Sequence, residues 1–170
     1  MAAGLIDGKA VAATIHAGLR REIETLTTGG VTPGLGVILV GDNPASVSYV
    51  TAKEKACAEV GIYSEERRLP ADASQAALLA EVARMNRDPR IDGILVQLPL
   101  PRHMDEAAIL LAIDPDKDVD GFHPVNVGKM MLGQDTFLPC TPHGIVQLLL
   151  HGGIRTAGAH VVVVGRSNIV

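Results

Sequence analysis

The chain is poor in aromatic side chains. Its 170 residues include no tryptophan, two phenylalanines and two tyrosines. So few rings leave almost nothing on which nucleic-acid bases could stack. The net charge of -4 also comes without any basic cluster that could follow a phosphate backbone. We therefore expect no nucleic acid among the partners of this protein.

Cysteine and long apolar runs are also scarce. Cys57 and Cys140 form neither a C-x-x-C pair nor a disulfide framework, which is typical of a reducing compartment. The first residues lack the basic and apolar regions of a signal peptide, and no apolar run approaches the length that spans a membrane. We expect a soluble cytoplasmic protein with no membrane partner.

Metal-binding patterns are weak. Asp114, Asp116, Asp118 and Asp120 alternate along one segment, but the glycine and the distal glutamate of a calcium loop are missing at the required offsets. None of the six histidines stands at a zinc-ligand spacing. The sequence therefore predicts no metal site.

The most informative stretch is residues 91–101, where an apolar run stops at a glutamine and two prolines. Residues 94–96 predict a strand buried on both faces, of the kind found in the middle of a parallel sheet. Pro99 and Pro101 cannot donate to a strand ladder, so this strand should end near Gln97. Parallel sheets bind ligands just beyond the carboxyl ends of their strands, which places Gln97 at the rim of a candidate site.

Strand and helix patterns alternate along the chain. Predicted helices cover residues 8–28, 44–60, 74–86, 105–112 and 125–132, and a further helix has Thr141 as its N-cap and runs to Leu150. Predicted strands cover residues 35–40, 62–69, 91–98 and 160–165; the second lies nearer a sheet edge, and the last is a buried run of valines. This alternation predicts an α/β fold with a parallel sheet and right-handed crossovers.

Tyr49 and Lys53 lie four residues apart on the predicted helix 44–60, so they share one face. A ring beside an amine offers a stacking surface next to a proton-transfer group. Lys53 could equally be a solvated helix lysine like Lys55. The helix begins directly after the strand 35–40, however, and that brings its first turns to the same rim as Gln97.

The segment after the valine run is an ambiguous nucleotide signal. Gly165 lies where a dinucleotide-binding turn would begin, but Ser167 and Val170 occupy the positions of the second and third glycines of G-x-G-x-x-G. Arg166 could pair with a phosphate, or it could be an exposed turn arginine.

Separate motifs that span the second helix to the last residue carry a specific resemblance. They are Y-V-T-A-K at 49–53, V-Q-L-P-L-P at 96–101, K-D-V-D-G at 117–121, P-C-T-P at 139–142 and G-R-S-N-I-V at 165–170. In this order and at about these separations, the chain resembles the bifunctional methylenetetrahydrofolate dehydrogenase/cyclohydrolase family. The resemblance implies oxidation of 5,10-methylenetetrahydrofolate with NADP, followed by hydrolysis of the methenyl cation to 10-formyltetrahydrofolate.

The resemblance also implies roles for individual residues. Lys53 looks like the catalytic acid and base, Gln97 like its hydrogen-bonding partner, Tyr49 like a platform for the folate rings, and Asp120 like a catalytic residue that binds the pterin edge. The remaining implied positions are Leu98, Pro99 and Pro139 beside the substrate, and Gly165, Arg166, Ser167 and Ile169 at the cofactor.

The fold implied by the resemblance is a three-layer catalytic domain over residues 1–142. It would be followed by the first helix and strand of a truncated, Rossmann-type NADP-binding domain at 143–170. Family chains continue further, so we expect the 170-residue chain to be a fragment without dehydrogenase activity. Family members are usually homodimers, and a homodimer is expected here.

Two other classes of function remain open at this stage. An aldolase-like enzyme would also place a lysine at a strand rim, but it would form a Schiff base that borohydride traps on Lys53. A non-catalytic nucleotide-binding module would keep the turn at Gly165 and would tolerate Lys53→Ala.

Overall fold

The computed structural model describes residues 4–167 as an α/β fold. Its helices are α1 (Gly8–Thr28), α2 (Pro44–Val60), α3 (Gln75–Arg87), α4 (Glu106–Ala112), α5 (Pro124–Met131) and α6 (Cys140–His151). Its strands are β1 (Gly34–Val40), β2 (Tyr63–Leu69) and β3 (Gly93–Val96). The predicted alternation of strands and helices is confirmed from β1 to α4.

The three strands are parallel and lie in the order β2-β1-β3. The edge position predicted for β2 is confirmed. The central position predicted for β3 is wrong, because β1 is the central strand. β3 is nevertheless buried, since the segment after α4 covers its outer edge: the Ile94 amide donates to the Lys117 carbonyl at 2.7 Å, and Ile94 forms a bridge with Asp118.

Helices cover both faces of the sheet. Alternate residues of a strand point to opposite faces, and in β1 this sends Val37 and Leu39 toward Val50 of α2. Ile38 and Val40 point the other way, into a core that contains these residues: Leu78, Val82 and Met85 of α3 and Ile109 of α4. The predicted three-layer arrangement of helix, sheet and helix follows from this division.

Several predicted helix ends are formed by local caps. The Asp7 carboxylate accepts hydrogen bonds from the Lys9 and Ala10 amides at the start of α1. Asn43 caps α2 in the same way, and Gly61 ends that helix in the left-handed conformation with φ 93°. These contacts lie within a few residues of each other in sequence, which is why the bounds of α1 and α2 could be predicted.

The start predicted for α6 is wrong. The helix begins at Cys140 with Pro139 as its N-cap, because the Pro139 carbonyl accepts the first helical hydrogen bond from the His143 amide at 3.1 Å. Thr141 therefore lies inside the helix instead of capping it. The division predicted between residues 142 and 143 falls within the first turn of α6.

The buried strand predicted at 160–165 is also wrong in the described residues. Val161 to Val164 form no strand, and their exposed fractions range from 67% to 96%. A strand needs a neighbour that completes its hydrogen bonds, and in the part of the chain from 4 to 167 only β1, β2 and β3 pair with one another.

Candidate active site

Lys53 and Gln97 meet at the carboxyl end of the sheet. The Lys53 Nζ donates a hydrogen bond to Gln97 Oε1 at 2.9 Å. Both the backbone and the side chain of Gln97 are fixed by hydrogen bonds. Its backbone N donates to the Ile38 carbonyl at 2.9 Å, and its side-chain Nε2 donates to the Leu98 carbonyl at 2.7 Å. The side-chain amide is thereby turned so that only its oxygen faces the lysine.

Tyr49 lies one helical turn before Lys53 with an open ring face. The Lys53 Nζ is 6.0 Å from the centroid of the ring, at the outer limit of a cation–π contact. The side chain is 63% exposed, so most of the ring is open to solvent. A flat ligand could stack on this ring while it remains within reach of the amine.

Asp120 joins the pair electrostatically. Burial raises the pKa of the Asp120 carboxyl, the Lys53 ammonium acts in the opposite direction, and the nearby Asp118 carboxylate adds to the rise. Water can hydrogen-bond to only part of a half-buried carboxyl, so such a group gains from a hydrogen bond with a ligand.

The K-D-V-D-G segment presents Asp120 through contacts on either side. The Lys117 Nζ donates to the Met85 and Asp88 carbonyls at the end of α3, at 3.2 and 3.0 Å. Val119 packs against the core between the sheet and α2. Gly121 has a φ of 65°, and a Cβ there would lie 2.6 Å from the Phe137 carbonyl oxygen, so only glycine fits this turn.

The other residues predicted to contact substrate lie near this rim. Leu98 is half-buried, Pro99 is exposed, and the peptide bond between them is cis. Pro139 is buried at the start of α6.

Sequence reasoning assigned no role to Cys140, which the structure brings next to Asp120. Burial raises the pKa of this thiol, and the Asp120 carboxylate raises it further. The Cys140 Sγ also lies 3.8 Å from the Val119 carbonyl oxygen. The P-C-T-P motif was the available signal, but its spacing says nothing about which segment Cys140 touches.

The residues predicted to bind a cofactor lie apart from any described strand or helix. Gly165, Arg166 and Ser167 follow α6 on an exposed stretch of chain. Ile169 lies outside the described residues. The structure thus brings together Tyr49, Lys53, Gln97 and Asp120, and it forms no strand-turn-helix cradle within residues 160–167.

Family models match two parts of the sequence. Residues 6–120 match the tetrahydrofolate dehydrogenase/cyclohydrolase catalytic domain, and residues 139–170 match the NAD(P)-binding domain of the same family. The Bifunctional protein FolD of Halalkalibacterium halodurans is 56% identical over 170 residues, which are 100% of this chain and 61% of that protein. The Bifunctional protein FolD of Bacillus cereus is 58% identical over the same residues, which cover 59% of its length. The chain therefore spans less than two thirds of these relatives.

Solved structures give the same relationship. The bifunctional methylenetetrahydrofolate dehydrogenase/cyclohydrolase of Campylobacter jejuni matches with a TM-score of 0.87 and 49% identity, over 90% of this chain and 55% of that one. The Trypanosoma brucei enzyme, solved in complex with NADP cofactor and an inhibitor, matches with a TM-score of 0.87 and 40% identity, over 89% of this chain and 52% of that one.

Proposed function

Because the chain belongs to the tetrahydrofolate dehydrogenase/cyclohydrolase family, we propose that its site acts on one-carbon derivatives of tetrahydrofolate. The reactions are the NADP-dependent oxidation of 5,10-methylenetetrahydrofolate to the methenyl cation and the hydrolysis of that cation to 10-formyltetrahydrofolate. The observation that carries the proposal is the 2.9 Å hydrogen bond between Lys53 and Gln97 at the rim of the sheet.

The hydrolytic step needs a group that moves a proton in both directions. Water adds to the one-carbon atom of the cation and loses a proton, which gives a neutral carbinolamine. Its hydroxyl then loses a second proton as the formyl carbonyl forms, the bond from that carbon to N5 breaks, and N5 takes up one proton. Lys53 is suited to this work, because its amine is hydrogen-bonded to Gln97 Oε1 and interacts electrostatically with the Asp120 carboxyl. The net products are 10-formyltetrahydrofolate and one proton.

Substrate binding is assigned to the residues around the lysine. The Asp120 carboxylate can accept hydrogen bonds from the N–H groups of the pterin edge, and the exposed Tyr49 ring can stack on its face. Leu98, Pro99 and Pro139 would shape the sides of the cleft. This arrangement accounts for a tyrosine that is exposed beside a structured, half-buried polar cluster.

NADP is the proposed cofactor, bound through Gly165, Arg166, Ser167 and Ile169. A guanidinium and a hydroxyl are donors that suit a phosphate, so the donor chemistry of Arg166 and Ser167 fits this group. NADP would supply the acceptor for the hydride of the methylene carbon. Since residues 161–164 are exposed and unpaired with the described sheet, we expect the 170-residue chain alone to lack this oxidation.

We also propose that the protein works as a cytoplasmic homodimer, with residues 1–142 as its folate-binding domain. Among residues 4–167, no helix is long and apolar enough to cross a bilayer. The outer edge of β2 supports the dimer: in a two-fold antiparallel pairing centred on Arg67, Glu66 of one copy would lie opposite Arg68 of the other. Folate is the small-molecule partner, and neither nucleic acid nor membrane is proposed as one.

The decisive experiment compares two lysines of one helix in a methenyl cyclohydrolase assay. Lys53→Met should lower the enzyme-catalysed rate by about 10²- to 10⁴-fold, the usual contribution of a general acid or base. Lys55→Met is the matched control, because Lys55 is an exposed lysine of the same helix whose ion pair, at 3.9 Å, is with exposed Glu59, and it should retain the wild-type rate.

Equal rates in the two lysine variants would contradict the proposed role of Lys53. Absence of hydrolysis above the buffer rate in the wild-type chain would contradict the proposed function of the 170-residue protein. NADPH formation from the methylene substrate by the same chain would contradict the expectation that it lacks the oxidation step.

A further inference from the structure

Two of the buried polar side chains lie behind the candidate site and have no role in the proposed chemistry. Asp118 is 2% exposed and Asn126 is 1% exposed. Burying a carboxylate and an amide is costly unless each is hydrogen-bonded. Their presence in a chain of this size calls for a structural or functional reason.

Asn126 joins three segments through all of the main hydrogen-bonding groups of its amide. Its Nδ2 donates to Asp118 Oδ2 at 2.9 Å and to the Pro115 carbonyl at 2.8 Å. Its Oδ1 accepts from Thr136 Oγ1 at 2.9 Å. One side chain of α5 therefore ties the chain before Asp120 to the chain that leads into α6.

Asp118 is the second connection in this network. Its Oδ2 also accepts from the His123 amide at 2.8 Å, while its own residue bridges to Ile94 of β3. The turn from 118 to 123 is thereby closed by one carboxylate oxygen, and Asp120 lies within that turn. Loss of the hydrogen bonds of Asp118 would let the Asp120 carboxyl move relative to the sheet.

Because the Asp118–Asn126–Thr136 network is buried, it can fix the position of the chain segments that it connects. A fully satisfied buried network defines one arrangement of its segments, because each alternative leaves a polar group without a partner. The sheet holds Gln97 and the helix α2 holds Lys53, but Asp120 lies on irregular chain. Its position depends on contacts such as these.

We propose that Asn126, with Asp118 and Thr136, is a positioning residue that sets Asp120 against Lys53 for substrate binding. The three side chains hold the loop and do not touch the substrate. The kinetic part of this inference rests on the proposed folate function. The structural part, that the network fixes residues 118–123, stands without it.

The test uses Thr136→Val and Thr136→Ser as a matched pair, because valine removes only the hydroxyl and serine keeps it. Thr136→Val should raise the KM for the methenyl substrate about three- to tenfold, the value of one lost hydrogen bond. Asn126→Ala removes three hydrogen bonds and should raise the KM by at least as much. The turnover number kcat should stay within about twofold, since Lys53 and Gln97 are untouched. Thr136→Ser and Gln134→Ala, a change at an exposed neighbour, should keep the wild-type KM.

Amide hydrogen exchange supplies a readout that needs no activity. Thr136→Val and Asn126→Ala should speed exchange at residues 118–123, whereas Thr136→Ser and Gln134→Ala should not. If Thr136→Val speeds exchange but leaves KM as in Thr136→Ser, the network is only structural and the positioning role is overturned. If no variant changes exchange, the network does not hold the loop and the inference is wrong. A wild-type chain without hydrolysis would defeat the proposed function alone, because the exchange result would still decide this point.

Discussion

Gln97 controls how the amine of Lys53 is presented. Its Nε2 donates to the Leu98 carbonyl, and this orients its Oε1 toward Lys53 of α2. The shared rim could be predicted from the sequence pattern, because a helix that begins after one strand and a glutamine that ends another lie at the same edge of a parallel sheet. The hydrogen bond itself was implied by the family resemblance alone. The Asp118–Asn126 contact could not be predicted, since it depends on how irregular segments close in three dimensions.

At the residue scale, we predict that Asp120→Asn makes the protein more stable and less active. Burial raises the pKa of this carboxyl in the folded chain, so its favourable contribution is complete below the unfolded pKa and is lost as pH rises through the folded one. At neutral pH the ionised group therefore costs stability, and an amide removes that cost. The expected gain is a few degrees in Tm, at about 2–4 °C per kcal/mol for a chain of this size, together with slower hydrolysis of the methenyl substrate.

Thermal melts at neutral pH and near pH 4 measure the effect of Asp120→Asn. The gain should shrink as the pH falls toward 4, because the raised pKa lets the wild-type carboxyl take up its proton at a higher pH than a free carboxyl would. Asp135→Asn makes the same exchange at an exposed carboxylate and should leave Tm unchanged at both pH values. A lower Tm for Asp120→Asn at neutral pH would mean that its pairing with Lys53 outweighs burial.

At the scale of secondary-structure elements, local signals decided what could be predicted. α1 and α2 end where their own capping residues lie, so sequence was sufficient. The place of β3 depends on residues 117–118, which cover its edge from elsewhere in the chain. The valine run at 161–164 has strand propensity, but propensity cannot supply a neighbouring strand.

The segment that covers the outer edge of β3 packs closely against it, which predicts a strong effect of Gly93→Ala. A Cβ at Gly93 would overlap Cγ1 of Val119, which lies two residues after Lys117 in that segment. We expect a loss of about 1–3 kcal/mol in the free energy of unfolding, the usual cost of overpacking a core. Urea denaturation measures it.

Gly128→Ala is the control for Gly93→Ala. Gly128 lies in α5 with nothing near its missing Cβ, so alanine should stabilise the helix by up to about 1 kcal/mol. Equal stability of the two variants would mean that Val119 can move aside without cost.

At the scale of the whole molecule, β2 leaves one side of the described sheet open. Its central residues are Glu65, Glu66, Arg67 and Arg68. Charged residues at a sheet edge discourage nonspecific strand pairing, while a fixed order of charges, here two acidic residues followed by two basic ones, can favour one specific antiparallel pairing. Within one chain, Glu66 already pairs with Arg68.

We predict that the protein is a dimer through this edge and that its assembly depends on the sign of these charges. Arg68→Glu should shift the species seen by light scattering toward the mass of one chain, because a glutamate would then face Glu66 of the second copy. Exchange of both charges, in Glu66→Arg with Arg68→Glu, should restore the dimer. A monomeric wild-type protein, or a dimer indifferent to both variants, would rule out this interface.

The hydrogen bond between Lys53 and Gln97 also determines when, during synthesis of the chain, the site can form. It joins residues 44 positions apart, and the strand pairing beneath it joins Leu35 to Gly93. β1, α2 and β2 leave the ribosome first, but the lysine has no partner until β3 has emerged and docked. Such distant pairings cost loop-closure entropy before they return any stability. The amine therefore gains its partner only after β1, α2 and β2 have been synthesised and β3 has paired with β1.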